Sequence, residues 1–139
     1  QLSSLSDLEK SAKSFSKSLY VDLEKLNIIG RIDICVGTGG NLRRMGKLRK
    51  VFFNRTHLKV FQSELIAINS EVKKLPMEKR IDFLNMRKDR ADVIIPAMCL
   101  IEDLLIKFDI SEIHLPPVGL KEGILLNILD EKPRYIYNN

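Results

Sequence analysis

A short apolar segment, Arg31-Ile32-Asp33-Ile34-Cys35-Val36, runs directly into Gly37-Thr38-Gly39-Gly40-Asn41, and helical spacing resumes at once behind it. That juxtaposition constrains the fold more than anything else in the chain. A buried strand that turns within a few glycines into a helix is the unit of an open α/β sheet. Glycines allow backbone conformations that a Cβ forbids, and they let a ligand approach the main chain. The helix that follows aims its free N–H groups and positive dipole end at the turn, which favours an anion there. Thr38 and Asn41 can add hydrogen bonds to phosphate or ribose oxygens. Two familiar phosphate motifs are excluded. A dinucleotide fingerprint needs glycine where Leu42 stands, and the spacing from Gly40 to Gly46-Lys47, followed by Leu48, does not make a P-loop.

The remaining chain is mostly helical in pattern. Ser6-Asp7-Leu8-Glu9 is a capping box, and Leu5, Leu8, Ala12, Phe15, Leu19, Leu23 and Leu26 trace an apolar stripe that ends near Asn27, with Gly30 beyond. Leu42, Met45, Leu48 and Phe52 define a helix from about Gly40, with Arg43, Lys47 and Lys50 on another face. Thr56 is the expected N-cap of a helix carrying Leu58, Phe61, Leu65, Ile68, Val72 and Leu75 inward. Pro76 stops it, and a short helix follows from Met77 to Leu84. The next is expected from about Arg90 to Asp109, with Ile94, Met98, Ile101, Leu105 and Phe108 inward and Pro96 confined to the first turn. Glu112-Ile113-His114-Leu115 reads as a second strand, broken by Pro116-Pro117, and a last helix spans about Val118 to Leu129, with Pro133 ending it. Two strands joined by helices point to a short parallel sheet in a helix-rich α/β fold. Two strands alone make a poor sheet, so further strands are expected before Gln1.

Charge supports the anion reading without fixing the partner. The net charge is +5, and no acid stands between Asp33 and Glu64, a stretch that holds Arg43, Arg44, Lys47, Arg49, Lys50, Arg55 and Lys59. Nucleic acid, anionic lipid and phosphate ligands all suit such a field. The stretch lacks the interleaved aromatics on which bases stack, so specific nucleic-acid binding is not expected. No apolar run approaches the roughly 18 residues of a membrane span, and no signal peptide is visible. Cys35 and Cys99 lie among apolar neighbours and read as buried free thiols, which fits a reducing cytoplasm. His57 and His114 are isolated from each other and from the cysteines, and read as structural.

Three segments together resemble the Ppx/GppA phosphatases. Gly37-Thr38-Gly39-Gly40 is similar to that family's GTGGT turn. Arg87-Lys88-Asp89-Arg90-Ala91-Asp92-Val93-Ile94-Ile95-Pro96 is similar to its R-x-x-R-A-D-V-I-x-P segment, the most specific of the three. Gly119-Leu120-Lys121-Glu122-Gly123-Ile124-Leu125 is similar to its G-L-R-E-G-I-L segment. Order and spacing agree from about Ile32 to Leu126. Asn41 stands where the family has Thr, and Lys121 where it has Arg, which loses the bidentate fork. Met98 stands near a position that is often small in the family.

The resemblance implies an actin-like (ribonuclease H-like) fold of two similar domains around a cleft, residues 1–139 forming the later part of the second domain. Gln1 as first residue fits a piece of a longer chain. The resemblance also implies hydrolysis of a terminal phosphate from inorganic polyphosphate or guanosine pentaphosphate by a full-length enzyme that uses a divalent metal, Mg2+ by expectation. The binding residues would be Gly37, Thr38, Gly39, Gly40, Asn41, Arg43 and Lys47. The catalytic glutamate and the family's two phosphate loops would lie upstream, so this chain is expected to bind no metal by itself and to be inactive alone. Arg87, Asp89, Arg90 and Asp92 read as a capping and ion-pair group, and Glu102 and Asp103 as a solvated helix face with Asp103 paired to Lys107. Gly119, Glu122 and Gly123 would be structural motif residues, Glu122 on a helix face or between domains and Gly123 letting the last helix approach the first domain. Self-association through the exposed sheet edge is expected. A non-hydrolysing sensor of nucleotide or polyphosphate is the alternative.

Overall fold

The computed structural model describes residues 5–27, 32, 34–82 and 84–136. Seven helices and two short strands follow in the order α1 (Leu5–Lys25), α2 (Gly40–Phe53), β1 (Lys59–Phe61), α3 (Gln62–Lys74), α4 (Met77–Asp82), α5 (Lys88–Ala91), α6 (Ile94–Lys107), β2 (Glu112–His114) and α7 (Leu120–Ile136) among the described residues. Arg31 and Asp33, which belong to the expected first strand, lie outside the described residues, as does Gly30.

The parallel pairing expected between the pre-glycine segment and the second strand is present as a bridge, Val36 to His114. The N–H of Gly37 donates to the His114 carbonyl and the N–H of His114 to the Cys35 carbonyl, both at 2.8 Å. The regular sheet is antiparallel: Lys59, Val60 and Phe61 pair with His114, Ile113 and Glu112. β2 is thus the central strand, used on both edges.

β1 corrects the expected helix start at Thr56. Lys59–Phe61 extends because β2 supplies hydrogen-bond partners that a helix would forgo, and α3 begins only at Gln62. Glu64 then caps it, accepting from the Phe61 N–H at 3.1 Å. Thr56 closes a local turn instead, its Oγ1 accepting from Leu58 N–H at 3.3 Å.

The core lies where α2, α3 and α6 meet the sheet. Met45, Leu48, Val60, Leu65, Ile68, Val72, Ile94, Met98 and Leu105 are all buried, as the helical spacing requires. Pro96 is the third residue of α6, where its missing N–H would have no intrahelical acceptor. α1 lies chiefly along α6. Its buried line runs through Ala12 and Ser16 rather than Phe15, which is 57% exposed. Ser16 takes that place because its hydroxyl bonds Asp103 and accepts from Lys107 Nζ at 2.9 Å. Tyr20 stacks at 5.5 Å on Phe108 below it.

This packing corrects two further expectations. Glu102 and Asp103 form no solvated face: Glu102 accepts from Asn69 Nδ2 at 2.5 Å, and Asp103 sits beneath α1, paired to Lys107 at 3.0 Å. Cys35 and Cys99 are free but half-buried. Cys99 lies in polar company, 3.6 Å from Asn69 Nδ2 and 3.8 Å from Glu9 Oε1. α7 runs past Pro133 to Ile136, and along it Leu120, Leu125, Leu126 and Leu129 stay exposed.

Candidate anion site at the start of helix α2

Gly39 makes the turn possible. Its φ of 105° and ψ of 173° belong to a region that only glycine occupies without strain. The space around it is open, with no atom within 4 Å of where a Cβ would sit, so the requirement is conformational. The first closed hydrogen bond of α2 runs from Arg43 N–H to the Gly39 carbonyl at 3.0 Å. The N–H groups of Gly40, Asn41 and Leu42 precede it and have no intrahelical acceptor. No side chain caps them, and no acid stands in the first turn.

Gly37 belongs to the sheet rather than to this site. Its N–H is committed to His114, it is buried, and a Cβ would meet Ile113 at 2.7 Å and Leu42 at 2.8 Å. Thr38 is exposed and Asn41 half-buried, and neither lines the concavity beside the helix start.

That concavity has a volume of about 300 Å³ and is lined by Gly40, Arg43, Arg44, Lys47, Asn85 and Arg87. The basic stretch of the sequence resolves into two groups. Arg49 and Arg55 pair with Glu64, and Lys59 pairs with Glu112. Arg43, Lys47 and Lys50 enter none of the ion pairs seen among the described residues. Arg44 hydrogen-bonds the Asn85 carbonyl, and partial burial pulls its guanidinium pKa down. Asn85 presents that carbonyl from a left-handed conformation, φ 48°. Neither Arg44 nor Asn85 was among the residues the sequence marked as binding, although Arg44 adjoins Arg43 in the basic run.

The buried pair Arg49–Glu64 anchors α2 to α3. Arg49 Nε and Nη2 donate to Glu64 at 2.5 and 3.1 Å, and Arg49 Nη1 donates to the Thr56 carbonyl at 2.9 Å. Desolvation, the largest influence on the Glu64 carboxyl, raises its pKa. The hydrogen bonds from Arg49, the Phe61 N–H and Arg55 outweigh it and hold the carboxyl below the usual range. Gly46 completes the anchor, for a Cβ there would stand 2.1 Å from the His57 carbonyl oxygen.

The other two motif segments border the same place. Arg87 lines the concavity and pairs with Asp89 at 3.2 Å in a solvent-exposed bridge. Asp92 lies by Arg80, whose Nε holds the Leu75 carbonyl at 2.9 Å. The side chain of Arg90 lies outside the described ones. A Cβ on Gly119, just before α7, would stand 3.6 Å from Arg43 Nη2 and 3.5 Å from Glu122 Oε2. Glu122's own backbone N–H holds its carboxyl low against desolvation, helped by the N–H of Gly119 and by Lys121 and Arg43. Its Oε2 is buried without a partner in hydrogen-bond geometry, so these groups act as near dipoles and charges. Gly123 has no atom within 4 Å of a Cβ position. His57 lies near the far end of α2, and His114 Nε2 is 2.8 Å from Glu112 Oε1.

The donor set suits an anion and not a divalent cation. Among the described residues no group of three or more His, Cys, Asp and Glu could hold a metal ion. No described helix is long and apolar enough to cross a membrane.

Comparison with known proteins follows the same outline. A family model, the Ppx/GppA phosphatase family, matches residues 6–132. A Ppx/GppA family member of Aquifex aeolicus superposes with a TM-score of 0.70 at 18% identity, over 88% of this chain and 40% of that one. An exopolyphosphatase of Cytophaga hutchinsonii superposes with a TM-score of 0.73 at 20% identity, over 88% and 42%. The chain therefore spans about two-fifths of these solved structures. At such identities the likeness concerns the fold, the helix-rich α/β arrangement of part of an actin-like protein. No curated protein matches the chain significantly.

Proposed function

Since the chain belongs to the Ppx/GppA phosphatase family, we propose that it binds the phosphate groups of inorganic polyphosphate or guanosine pentaphosphate at the start of α2, for hydrolysis of a terminal phosphoanhydride. The observation that carries this reading is the concavity beside Gly40, where Arg43, Arg44, Lys47 and Arg87 converge with no carboxylate among the lining residues. Free backbone N–H groups, the helix dipole and four cations all favour one sign of ligand charge. Arg43 and Arg87 offer planar forks suited to phosphate oxygens, and Lys47 a mobile point charge.

The chemistry follows from what this pocket holds and lacks. Its cations can orient a phosphate chain and stabilise charge that builds on the phosphoryl oxygens. It has no base to activate water, and the residues present do not fit a divalent metal. We place the base and any metal on sequence outside these 139 residues, with Glu122 and the start of α7 facing that part. The absence of a carboxylate from the pocket equally favours a sensor that binds without cutting. Two free thiols support a reducing cytoplasm as the setting.

Isothermal titration with tripolyphosphate tests the binding reading. Saturable binding, lost in Gly40→Asp and weakened in Arg43→Gln, is the expected result; equal binding by wild type and Gly40→Asp would sink it. Phosphate release from polyphosphate by this chain above the Gly40→Asp level would overturn the placement of the base elsewhere.

A further inference from the structure

A separate concavity, of about 230 Å³, lies where α1, α3 and α6 meet, and it shares no lining residue with the anion site. Each helix lends it side chains at helical spacing: Glu9 and Lys13 from α1, Asn69 and Lys73 from α3, Cys99 and Glu102 from α6. Asn69 is its most enclosed member, only 1% exposed. Asn69 Nδ2 donates to Glu102 Oε2 at 2.5 Å and lies 3.6 Å from Cys99 Sγ. That settles which way the amide points, because the reverse would set its oxygen against the Glu102 carboxylate. Asn69 Oδ1 is then buried with no hydrogen-bond partner. A buried acceptor left without a donor is costly, so a donor belongs beside it.

The charges around Asn69 are unevenly matched. Glu9 pairs with Lys73 at 2.7 Å, and Asp103 pairs with Lys107 at 3.0 Å. Glu102 and Lys13 enter none of the ion pairs seen among the described residues. Glu102 is half-buried beside Asn69, and Lys13 is exposed. An unneutralised carboxylate thus adjoins an unfilled acceptor, and an uncommitted ammonium group stands nearer solvent.

We propose that this concavity binds a small zwitterion of the amino-acid class, its ammonium group on Asn69 Oδ1 and Glu102 and its carboxylate toward Lys13. An ammonium group carries donors for both the amide oxygen and the carboxylate, and the charge that Glu102 lacks. Water could supply a donor but no charge. A diamine would bring its second charge against Lys13. Among the described residues no group of three or more His, Cys, Asp and Glu could hold a metal ion. Size narrows the class further. A water takes about 30 Å³ in the liquid, so a concavity of about 230 Å³ has room for a molecule of glycine's size or a little more, and none for a nucleotide. The partners lie on three helices, so the occupant would also tie α1 to α3 and α6.

The test is a heteronuclear NMR titration of the chain with glycine, ethylamine and acetate at matched ionic strength, with the Asn69 side-chain amide as reporter. The expected result is a saturable shift with glycine, a weaker one with ethylamine and none with acetate. Glu102→Gln should weaken glycine binding about tenfold or more, the worth of a hydrogen bond to a charged group. Lys13→Gln should weaken glycine about two- to fivefold and leave ethylamine no weaker; Lys13 is exposed, so this variant keeps the fold. Glycine should also raise the melting temperature of the wild type and not that of Asn69→Leu. Should Asn69→Leu fail to fold, the Glu102 and Lys13 variants still decide. No saturable shift with glycine would overturn the proposal and leave the concavity to water. Acetate binding as tightly as glycine would overturn the placement of the ammonium group, and ethylamine binding as tightly would overturn the zwitterion. Glycine affinity unchanged in Glu102→Gln would overturn the site.

Discussion

Glu64→Ala should be among the most damaging single substitutions in this protein, although Glu64 touches no ligand site. Its carboxylate accepts four hydrogen bonds: from Arg49 Nε at 2.5 Å and Nη2 at 3.1 Å, from Arg55 Nη1 at 3.0 Å and from the Phe61 N–H at 3.1 Å. These partners differ greatly in burial. The Arg55 side chain is 62% exposed and that of Arg49 only 3%. Loss of the Arg55 contact should cost under about 1 kcal/mol, because water and salt screen it. Leaving the Arg49 guanidinium buried without its counter-ion should cost about 3–5 kcal/mol. That is a large part of a typical stability of about 5–15 kcal/mol. With a urea m-value of about 2 kcal/mol/M, the midpoint should fall by roughly 1.5–2.5 M. Arg55→Ala is the exposed control, and joint replacement of Arg49 by Met and Glu64 by Leu should recover most of the loss, since no charge is then stranded. A Glu64→Ala midpoint indistinguishable from that of Arg55→Ala would refute the reasoning. The same group gives a pH dependence. Its folded pKa lies below the unfolded value of about 4.3, so its contribution is complete above that pH and is lost as pH falls through the folded pKa.

Gly46→Ala should lower stability by about 1–3 kcal/mol or more, read as a drop in melting temperature, because the atom in the way is a backbone oxygen that cannot rotate aside; an unchanged melting temperature would refute it. Gly39→Ala meets open space but a forbidden conformation, so it should cost about 1–3 kcal/mol and weaken tripolyphosphate binding as the turn relaxes; unaltered affinity would show that the turn does not shape the site. In an NMR titration the Glu122 carboxyl should titrate below the ordinary glutamate range, and Arg43→Gln should bring it upward; a midpoint at or above that range would contradict the dipole and charge environment described. Light scattering should show self-association that Ile34→Asp reduces, since Ile34 and Val36 are exposed apolar residues of the segment that Val36 bridges to β2; a strict monomer at high concentration would exclude it.

The sequence disclosed whatever depends on short-range spacing. Met45 and Leu48 place the buried face of α2, and that decides where Arg43, Lys47 and Lys50 point. Pro96 marks the first turn of α6, but the expected single helix from Arg90 is divided in two: Arg90 falls in α5, and α6 begins at Ile94. β1 was hidden because Phe61, Leu65, Ile68 and Val72 keep one helical period straight through it; its strand character comes from pairing with residues more than fifty positions away. Arg49 looked like one more cation because its counter-ion, Glu64, sits fifteen residues further on. For the site, one wall lies in a single segment and was readable. The opposite wall, Asn85 and Arg87, is brought in by the path from α4 to α5, and no local pattern marks Asn85 as facing Arg44. Glu102 and Asp103 misled for a similar reason: their own helix pattern is that of a wet surface, and α1 covers it.

The contact of Gly46 with the His57 carbonyl has one more consequence. With no room for even a methyl group, and with Arg49 tied to the neighbouring helix, α2 cannot slide along its axis when a ligand arrives. The cradle at its start is therefore shaped beforehand. Association should resemble ion exchange on a rigid resin more than a hand closing: counterions leave, few dihedrals are surrendered, and the heat capacity of the protein scarcely changes.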